Sequence, residues 1–410
     1  MLINVNKNCI KALKKEGPPV IIAAALKEAE AITYACRDVG INVVAFCDSE
    51  KRKISEKFCN LEIVHTPDLP NKFPKARIII ATQQVQDISE QLNGLGYYDL
   101  YSGLELIKNY DVTNHSHQIS QEFMKTRLSV YKKSHEVFFD TDKLYMRSVD
   151  VMITERCSLK CKSCSNLMQY YIKPENSDGN KTIEAIEILN DNVDYISEFR
   201  VIGGEPLMNR NWDLIVKGII DKNPERKVFI YTNGTIAPKD EKLAPFEKNK
   251  NVNFIITEYG KLSRNLENLH SQLNKFDINF SSTPADNWVD CSSIRHHKRS
   301  AAKLTEVFKQ CCVKYLYTLL NGKLYRCPFI ANAANLNAIP DNPSDYVDLF
   351  SKNEIKKQIK RLVKIAKFFP GCDFCDGRPY DPSSKLGYDG KGVIKAGIQT
   401  PKPLSFKTYN

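Results

Sequence analysis

Cys157, Cys161 and Cys164 stand within the stretch TERCSLKCKSCSNLM, with three residues in the first gap and two in the second. Thiols grouped at short, fixed spacing mark a metal site. A structural zinc ion closes a tetrahedron of four ligands, and this loop offers no histidine to complete one. Three thiolates instead suit three corners of a 4Fe-4S cluster, which ordinarily takes four cysteines. A missing fourth ligand leaves one iron open to a substrate or cofactor. On spacing alone, structural zinc is the alternative.

A second motif lies downstream. RVIGGEPLMN ends a strand-like run with Gly203, Gly204 and Glu205. Adjacent glycines admit close approach to backbone, and a glutamate beside them pairs with an ammonium group. More cysteines follow in CCVKYLYTLLNGKLYRCP and GCDFCDG. Cys312, Cys327, Cys372 and Cys375 make four ligands from two remote pairs, with Gly322 suiting a hairpin between Cys312 and Cys327. The register from Gly322 admits Cys311 or Cys312, and Cys312 is taken. Four thiolates suit zinc or an iron–sulfur cluster. Cys9, Cys36, Cys47 and Cys59 read as buried apolar residues.

The elements around these motifs alternate between strand and helix. In the first part, PVIIAAAL, INVVAFCDS and ARIIIATQ read as strands, with KEAEAITYACRDVG and VQDISEQLNGLG as helices. Such alternation implies a parallel sheet covered on both faces, hence a Rossmann-like domain over residues 1–115. Its first strand-to-helix turn lacks the glycines a dinucleotide needs; Asp48, at the end of the second strand, is a lone acid where a ribose contact would sit. Residues 116–147 read as a linker with some helix. From SVDVMIT onward the rhythm resumes through FRVIGG, KVFIYTNG, VNFIITEYG, FDINFSS and KYLYTLL. Six strands in this rhythm predict a parallel barrel or part of one, with its ligand site at the C-terminal strand ends. The three-cysteine loop follows the first of these strands.

Together, the C-x3-C-x2-C run and the GGEP stretch resemble the radical S-adenosylmethionine (SAM) superfamily. The resemblance covers residues 148–380 well and the first 110 loosely. It implies a partial (β/α)6 barrel at 148–310, with Cys157, Cys161 and Cys164 holding a 4Fe-4S cluster whose open iron binds SAM. Gly203, Gly204 and Glu205 inherit the methionine amino group, while Thr232 and Asn233 of TNG and Thr257 and Glu258 of TEYG inherit contacts to ribose and carboxylate. Ser163 stands where the family usually has an aromatic residue. The later cysteines resemble the half-domain called twitch, related to SPASM, at 311–380; this implies one auxiliary 4Fe-4S cluster, followed by a tail at 381–410.

The resemblance also implies a reaction. A 5'-deoxyadenosyl radical abstracts a substrate hydrogen, and an auxiliary cluster accepts the remaining electron, so that an alcohol becomes a ketone. The segment order resembles proteins of bacterial surface-polysaccharide clusters, which leads to a carbohydrate or sugar-nucleotide substrate and a flavodoxin- or ferredoxin-type electron donor. NWVDCSSIRHH, after the fifth strand, places Cys291 as a candidate hydrogen donor for an epimerase, with Arg295, His296 and His297 as candidate phosphate-binding or basic residues. Glu258 is a further catalytic candidate. A peptide-modifying maturase is an alternative, although the first hundred residues do not resemble a winged helix; a zinc-stabilised binding protein is another.

Composition bounds the rest. The chain has 410 residues, is 42% hydrophobic and carries a net charge of +11. Its lysines are scattered and no nucleic-acid motif appears. No apolar run approaches the roughly 20 residues that span a bilayer, and the N-terminus reads as no signal peptide. The expectation is a cytoplasmic protein with reduced thiols, whose 13 cysteines serve metal sites more than disulfides.

Overall fold

The computed structural model describes residues 5–50, 53–54, 56–351, 353–379, 390, 392–400 and 403–409. It divides into two compact units, Met1–Lys143 and Leu144–Asn410.

The first unit is built on β1 (Val5–Asn6), β2 (Val20–Ala23), β3 (Val43–Asp48), β4 (Lys57–Phe58), β5 (Leu61–His65), β6 (Arg77–Ile80) and β7 (Leu100–Ser102). Their order is β1-β7-β6-β2-β3-β5-β4. Every neighbouring pair is parallel except β4 with β5. Alternation sends Ile22 and Ile79 to one buried face and Ile21, Ile78 and Ile80 to the other, as a doubly covered sheet requires.

The expected linker is largely a 19-residue helix, Gln121–Phe139, capped by the Ser120 hydroxyl and part of this first unit. It lies over the C-terminal strand ends. Arg127 pairs with buried Glu28 at 2.7 Å. The Tyr131 hydroxyl donates to the Ile80 carbonyl at 2.8 Å and accepts from the Gly103 N–H at 2.9 Å. His135 joins the Ser102 hydroxyl and the Thr82 carbonyl. Burial pushes the His135 pKa down to about 3, which keeps the ring neutral. Ligands of open parallel sheets bind in the crevice at the strand ends; here the chain's own helix occupies it. Asp48 accepts the Ala25 N–H at 2.9 Å, so a carboxylate sits at the turn where a dinucleotide would present its pyrophosphate.

The second unit holds β8 (Tyr145–Met152), β9 (Tyr195–Ile202), β10 (Lys227–Thr232), β11 (Val252–Glu258), β12 (Asn279–Pro284), β13 (Asn287–Val289), β14 (Leu316–Leu320), β15 (Lys323–Tyr325), β16 (Tyr346–Asp348) and β17 (Val393–Lys395). Eight of these form one sheet in the order β12-β11-β10-β9-β8-β14-β15-β16. β8 to β12 are parallel in sequence order, which is the partial-barrel core. β14 is also parallel, but it pairs with β8 on the opposite edge and does not extend the sheet beyond β12. β14 then turns through Gly322, at φ +78°, into antiparallel β15. All six expected strands thus lie parallel in one sheet, with β14 on the β8 edge, and the hairpin that follows shares that sheet. Helices Gly179–Asn192, Trp212–Lys222 and Leu266–Lys275 cover the convex face through buried residues such as Ile186, Val216 and Leu269. Among the described residues, no helix is long and apolar enough to cross a membrane.

Candidate active site

The three-cysteine loop leaves the C-terminal end of β8 and is seated on the two glycines that end β9. The Gly204 N–H donates to the Thr154 carbonyl at 2.9 Å, and the Glu205 N–H to the Arg156 carbonyl at 2.8 Å. A Cβ on Gly203 would stand 2.3 Å from the Thr154 carbonyl oxygen, and one on Gly204 would stand 2.3 Å from that of Arg156. The double glycine is therefore a steric requirement of the loop itself. Cys157, Cys161 and Cys164 are free thiols. Burial raises all three, Cys161 to about 11, and each of Cys157 and Cys161 is raised further by the neighbouring sulfurs.

Glu205 is fully buried. Its carboxylate accepts from the Thr232 hydroxyl at 2.9 Å, the Asn233 N–H at 2.8 Å and the Leu207 N–H at 3.2 Å. These donors are neutral, and burial pushes the acid up to about 7. The Asn233 amide donates to the Ser158 hydroxyl at 3.1 Å and points to the Cys157 sulfur at 3.8 Å. Gly203, Gly204, Glu205, Thr232 and Asn233 thus assemble with the cysteine loop. On β11, Val252, Phe254 and Ile256 are buried toward the helices, so alternation turns Thr257 to the concave face and Glu258 to the helix side. Glu258 accepts from the Ser282 hydroxyl at 2.6 Å, and Ser282 meets His270 of helix Leu266–Lys275. As a catalytic candidate Glu258 is corrected: it lies on the wrong side of the sheet from the cysteines.

Ser163 also has a defined place. It is buried, donates to Asp290 at 2.7 Å and meets the Ser292 hydroxyl at 2.9 Å, which ties the cysteine loop to the segment after β13. An aromatic side chain does approach the thiols, but from TEYG: the Tyr259 phenol is raised by burial and by Cys161, Cys164 and Cys157. Sequence reasoning missed Tyr259, whose signal was adjacency to Thr257 and Glu258.

The tail residues also belong to the site. β17 pairs with β13. Beyond it, Gln399 bridges to Cys161, the Lys162 N–H donates to the Ile398 carbonyl at 2.7 Å, and the Thr400 N–H to the Lys160 carbonyl at 2.7 Å. The Gln399 amide donates to the Cys161 sulfur at 3.4 Å. Of the expected tail 381–410, residues 381–389, 391, 401, 402 and 410 lie outside the described residues, as does residue 380.

The later cysteines gather around a second cavity, lined by Cys311, Cys327, Cys372, Cys375 and Arg378 among others. Cys311 lines it and Cys312 does not; Cys312 is exposed. Of the two cysteines that the Gly322 register admits, the cavity therefore takes Cys311. The reason is local geometry: Cys311 caps helix Ala301–Gln310 and bridges to Pro379, while the Cys312 N–H donates to the Arg378 carbonyl. Burial and neighbouring sulfurs raise Cys311 and Cys372, and Cys375 to about 12.

The segment CSSIRHHKR wraps the C-x2-C loop, and through Ser292 it also meets Ser163 of the first cysteine loop. Ile294 bridges to Cys375, Arg295 pairs with Asp376 at 3.1 Å, His296 with Asp373 at 3.0 Å, and His297 with Asp376 at 3.0 Å. Arg299 donates to the carbonyls of Cys372 and Cys375. Arg295 as a catalytic group is corrected accordingly: its charge is engaged in holding this loop. Cys291 is buried within the same group, raised by burial and lowered by Arg378.

Among the described residues, no three His, Cys, Asp or Glu side chains converge closely enough to grip one metal ion. A single zinc ion holds thiolates at about 2.3 Å, which crowds their sulfurs within about 4 Å of one another. An iron–sulfur cluster is gripped at its corners, so its cysteines stand farther apart. Cys157, Cys161 and Cys164, three free thiols on one loop, are the residues that would hold three corners of a 4Fe-4S cluster.

Comparison with known proteins gives partial matches. Residues 151–257 match the sequence model of the radical SAM superfamily. A GTP 3',8-cyclase of Streptomyces coelicolor is 28% identical over 110 residues, which are 26% of this chain and 32% of that protein; the match thus spans about a third of the relative's length. Among solved structures, BtrN in complex with AdoMet and 2-DOIA is 16% identical, with a TM-score of 0.38 over 57% of this chain and 94% of that one. Native anSMEcpe with bound AdoMet is 11% identical, with a TM-score of 0.39 over 55% and 84%.

Proposed function

We infer that this chain, a member of the radical SAM superfamily through residues 151–257, is an enzyme that oxidises an alcohol of a carbohydrate or sugar nucleotide to a ketone. The observation that carries the two-electron reading is the presence, in one compact unit, of an open set of three cysteines and a separate cavity lined by four. Cys157, Cys161 and Cys164 would hold a 4Fe-4S cluster, which when bound would supply one-electron reduction of SAM by an external donor, and Cys311, Cys327, Cys372 and Cys375 would hold a second cluster able to take up an electron.

The chain's own residues have separable tasks in this reading. Gly203 and Gly204 seat the cysteine loop by leaving room for the Thr154 and Arg156 carbonyls. Glu205 keeps a buried carboxylate among neutral donors, an electrostatic match for the methionine ammonium. Asn233 and Thr257 face the same end of the barrel, and Tyr259 offers the aromatic ring that Ser163 does not. Residues 398–400 pair with residues 160–162 of the loop and brace Cys161. The net charge of +11 complements an acidic flavodoxin- or ferredoxin-type donor.

The test is anaerobic incubation of the reconstituted protein with SAM, reductant and a panel of sugar nucleotides, following 5'-deoxyadenosine and the mass of each sugar. Formation of 5'-deoxyadenosine with loss of two mass units from one sugar supports the reading. An unchanged mass with incorporation of solvent label assigns epimerisation instead. A colourless protein that holds zinc and forms no 5'-deoxyadenosine refutes radical chemistry altogether.

A further inference from the structure

The two cysteine sets share a buried cation. Arg378 is 5% exposed. Its Nη2 donates at 2.9 Å to the carbonyl of Ser165, the residue after Cys164. The same side chain lines the cavity of Cys311, Cys327, Cys372 and Cys375 and hydrogen-bonds to the Cys291 side chain. It therefore reaches from the loop of the first set into the wall of the second. Its Nε is buried without a hydrogen-bond partner among the described residues. Two carboxylates also face Cys291, but both are engaged elsewhere. Asp376 is shared by Arg295 and His297, and Asp290 accepts from Ser163.

A guanidinium cannot shed its proton in a protein, and a buried charge without an opposite partner is strongly unfavourable. The partner it faces is the sulfur wall. If those cysteines ligate a cluster, they are thiolates, and the assembly carries net negative charge that grows on reduction. A fixed cation at short range favours the more negative state, and cluster potentials respond to net charge and to hydrogen bonds near the sulfurs.

We infer that Arg378 is a positioning residue that raises the reduction potential of the auxiliary cluster, so that this cluster serves as the electron acceptor, while tethering it to the Ser165 carbonyl of the SAM-cluster loop. This rests on the two-cluster reading above.

The experiment uses the full chain, reconstituted anaerobically, with Cys157, Cys161 and Cys164 changed to alanine so that only the auxiliary cluster remains. An EPR-monitored redox titration is run with Arg378 intact, Arg378→Lys and Arg378→Met. The expected result is a midpoint displaced to more negative potential in Arg378→Met and one near that of the intact residue in Arg378→Lys. If Arg378→Met retains no iron, Arg378→Gln gives the same comparison, since it keeps an amide donor for the Ser165 carbonyl and drops the charge. Iron retained with an unchanged midpoint in the neutral variant overturns the role of Arg378 alone. No iron with Arg378 intact overturns the two-cluster reading and this inference with it.

Discussion

Gly204 shows how little freedom the site allows a single residue. With a Cβ 2.3 Å from the Arg156 carbonyl oxygen and 2.7 Å from the Cys157 Cβ, Gly204→Ala must displace backbone, at a cost of about 1–3 kcal/mol. It is expected to strip iron from the first set and leave the second loaded, read by iron and sulfide analysis with EPR of each signal. The choice between adjacent cysteines is equally sharp. Cys311→Ala is expected to empty the second site, whereas Cys312→Ala keeps its iron; the opposite pattern would restore the register first read from Gly322. The residue types at both sets were legible because metal ligands declare themselves by kind and spacing. Which of two neighbouring cysteines turns inward was not, because that depends on how helix Ala301–Gln310 ends and on the distant Pro379 and Arg378.

At the scale of elements, the concave face of the sheet carries its own electrostatics. Asp150 on β8 pairs with Arg200 on β9 at 3.1 Å, and Arg200 lies 4.5 Å over the Tyr231 ring on β10. Burial raises the Asp150 pKa from 3.8 to about 7, with Arg200 opposing. The folded chain thus binds this proton more tightly than the unfolded chain does. The contribution to stability is full below about pH 4 and is lost as pH rises toward about 7, by up to about 4 kcal/mol. Urea unfolding of the apoprotein at pH 5 and pH 8 measures it, and Asp150→Asn is expected to reduce the difference, leaving the share that Glu205 contributes. The crossing of residues 398–400 over the cysteine loop is testable as well. Gly397 has φ +80°, and a Cβ there would lie 2.8 Å from the Tyr259 ring. Gly397→Val is expected to lift the strap. Faster hydrogen exchange at the Lys162 amide and faster loss of cluster colour in air are the readouts.

For the whole molecule, the first unit is folded around a crevice that its own helix fills. Tyr131→Phe removes a buried hydroxyl that bonds both Ile80 and Gly103, leaving a carbonyl and an N–H without that partner, at a cost of about 1–3 kcal/mol. Denaturation of residues 1–143 expressed alone is expected to show this loss, while addition of NAD leaves the midpoint unchanged. Strand–helix alternation announced this parallel sheet. Closure of the crevice was hidden because Gln121–Phe139 is polar over much of its length, and its contacts reach residues 28 to 99 positions away.

The sequence by itself determined the chemistry available to this protein: three thiols on a loop after a strand, two glycines and a glutamate at the next strand end, and a later quartet of cysteines. Those are matters of residue type and short spacing, which no folding alters. Only the tertiary structure decided which groups share a site. It placed Glu258 on the helix side, drew Cys291 and Arg295 to the second cysteine set, linked Ser163 to Asp290 across 127 residues and set β14 beside β8. Each outcome turns on strand parity, sheet-edge order or long-range packing, and these are properties of the folded chain that neighbouring residues do not encode.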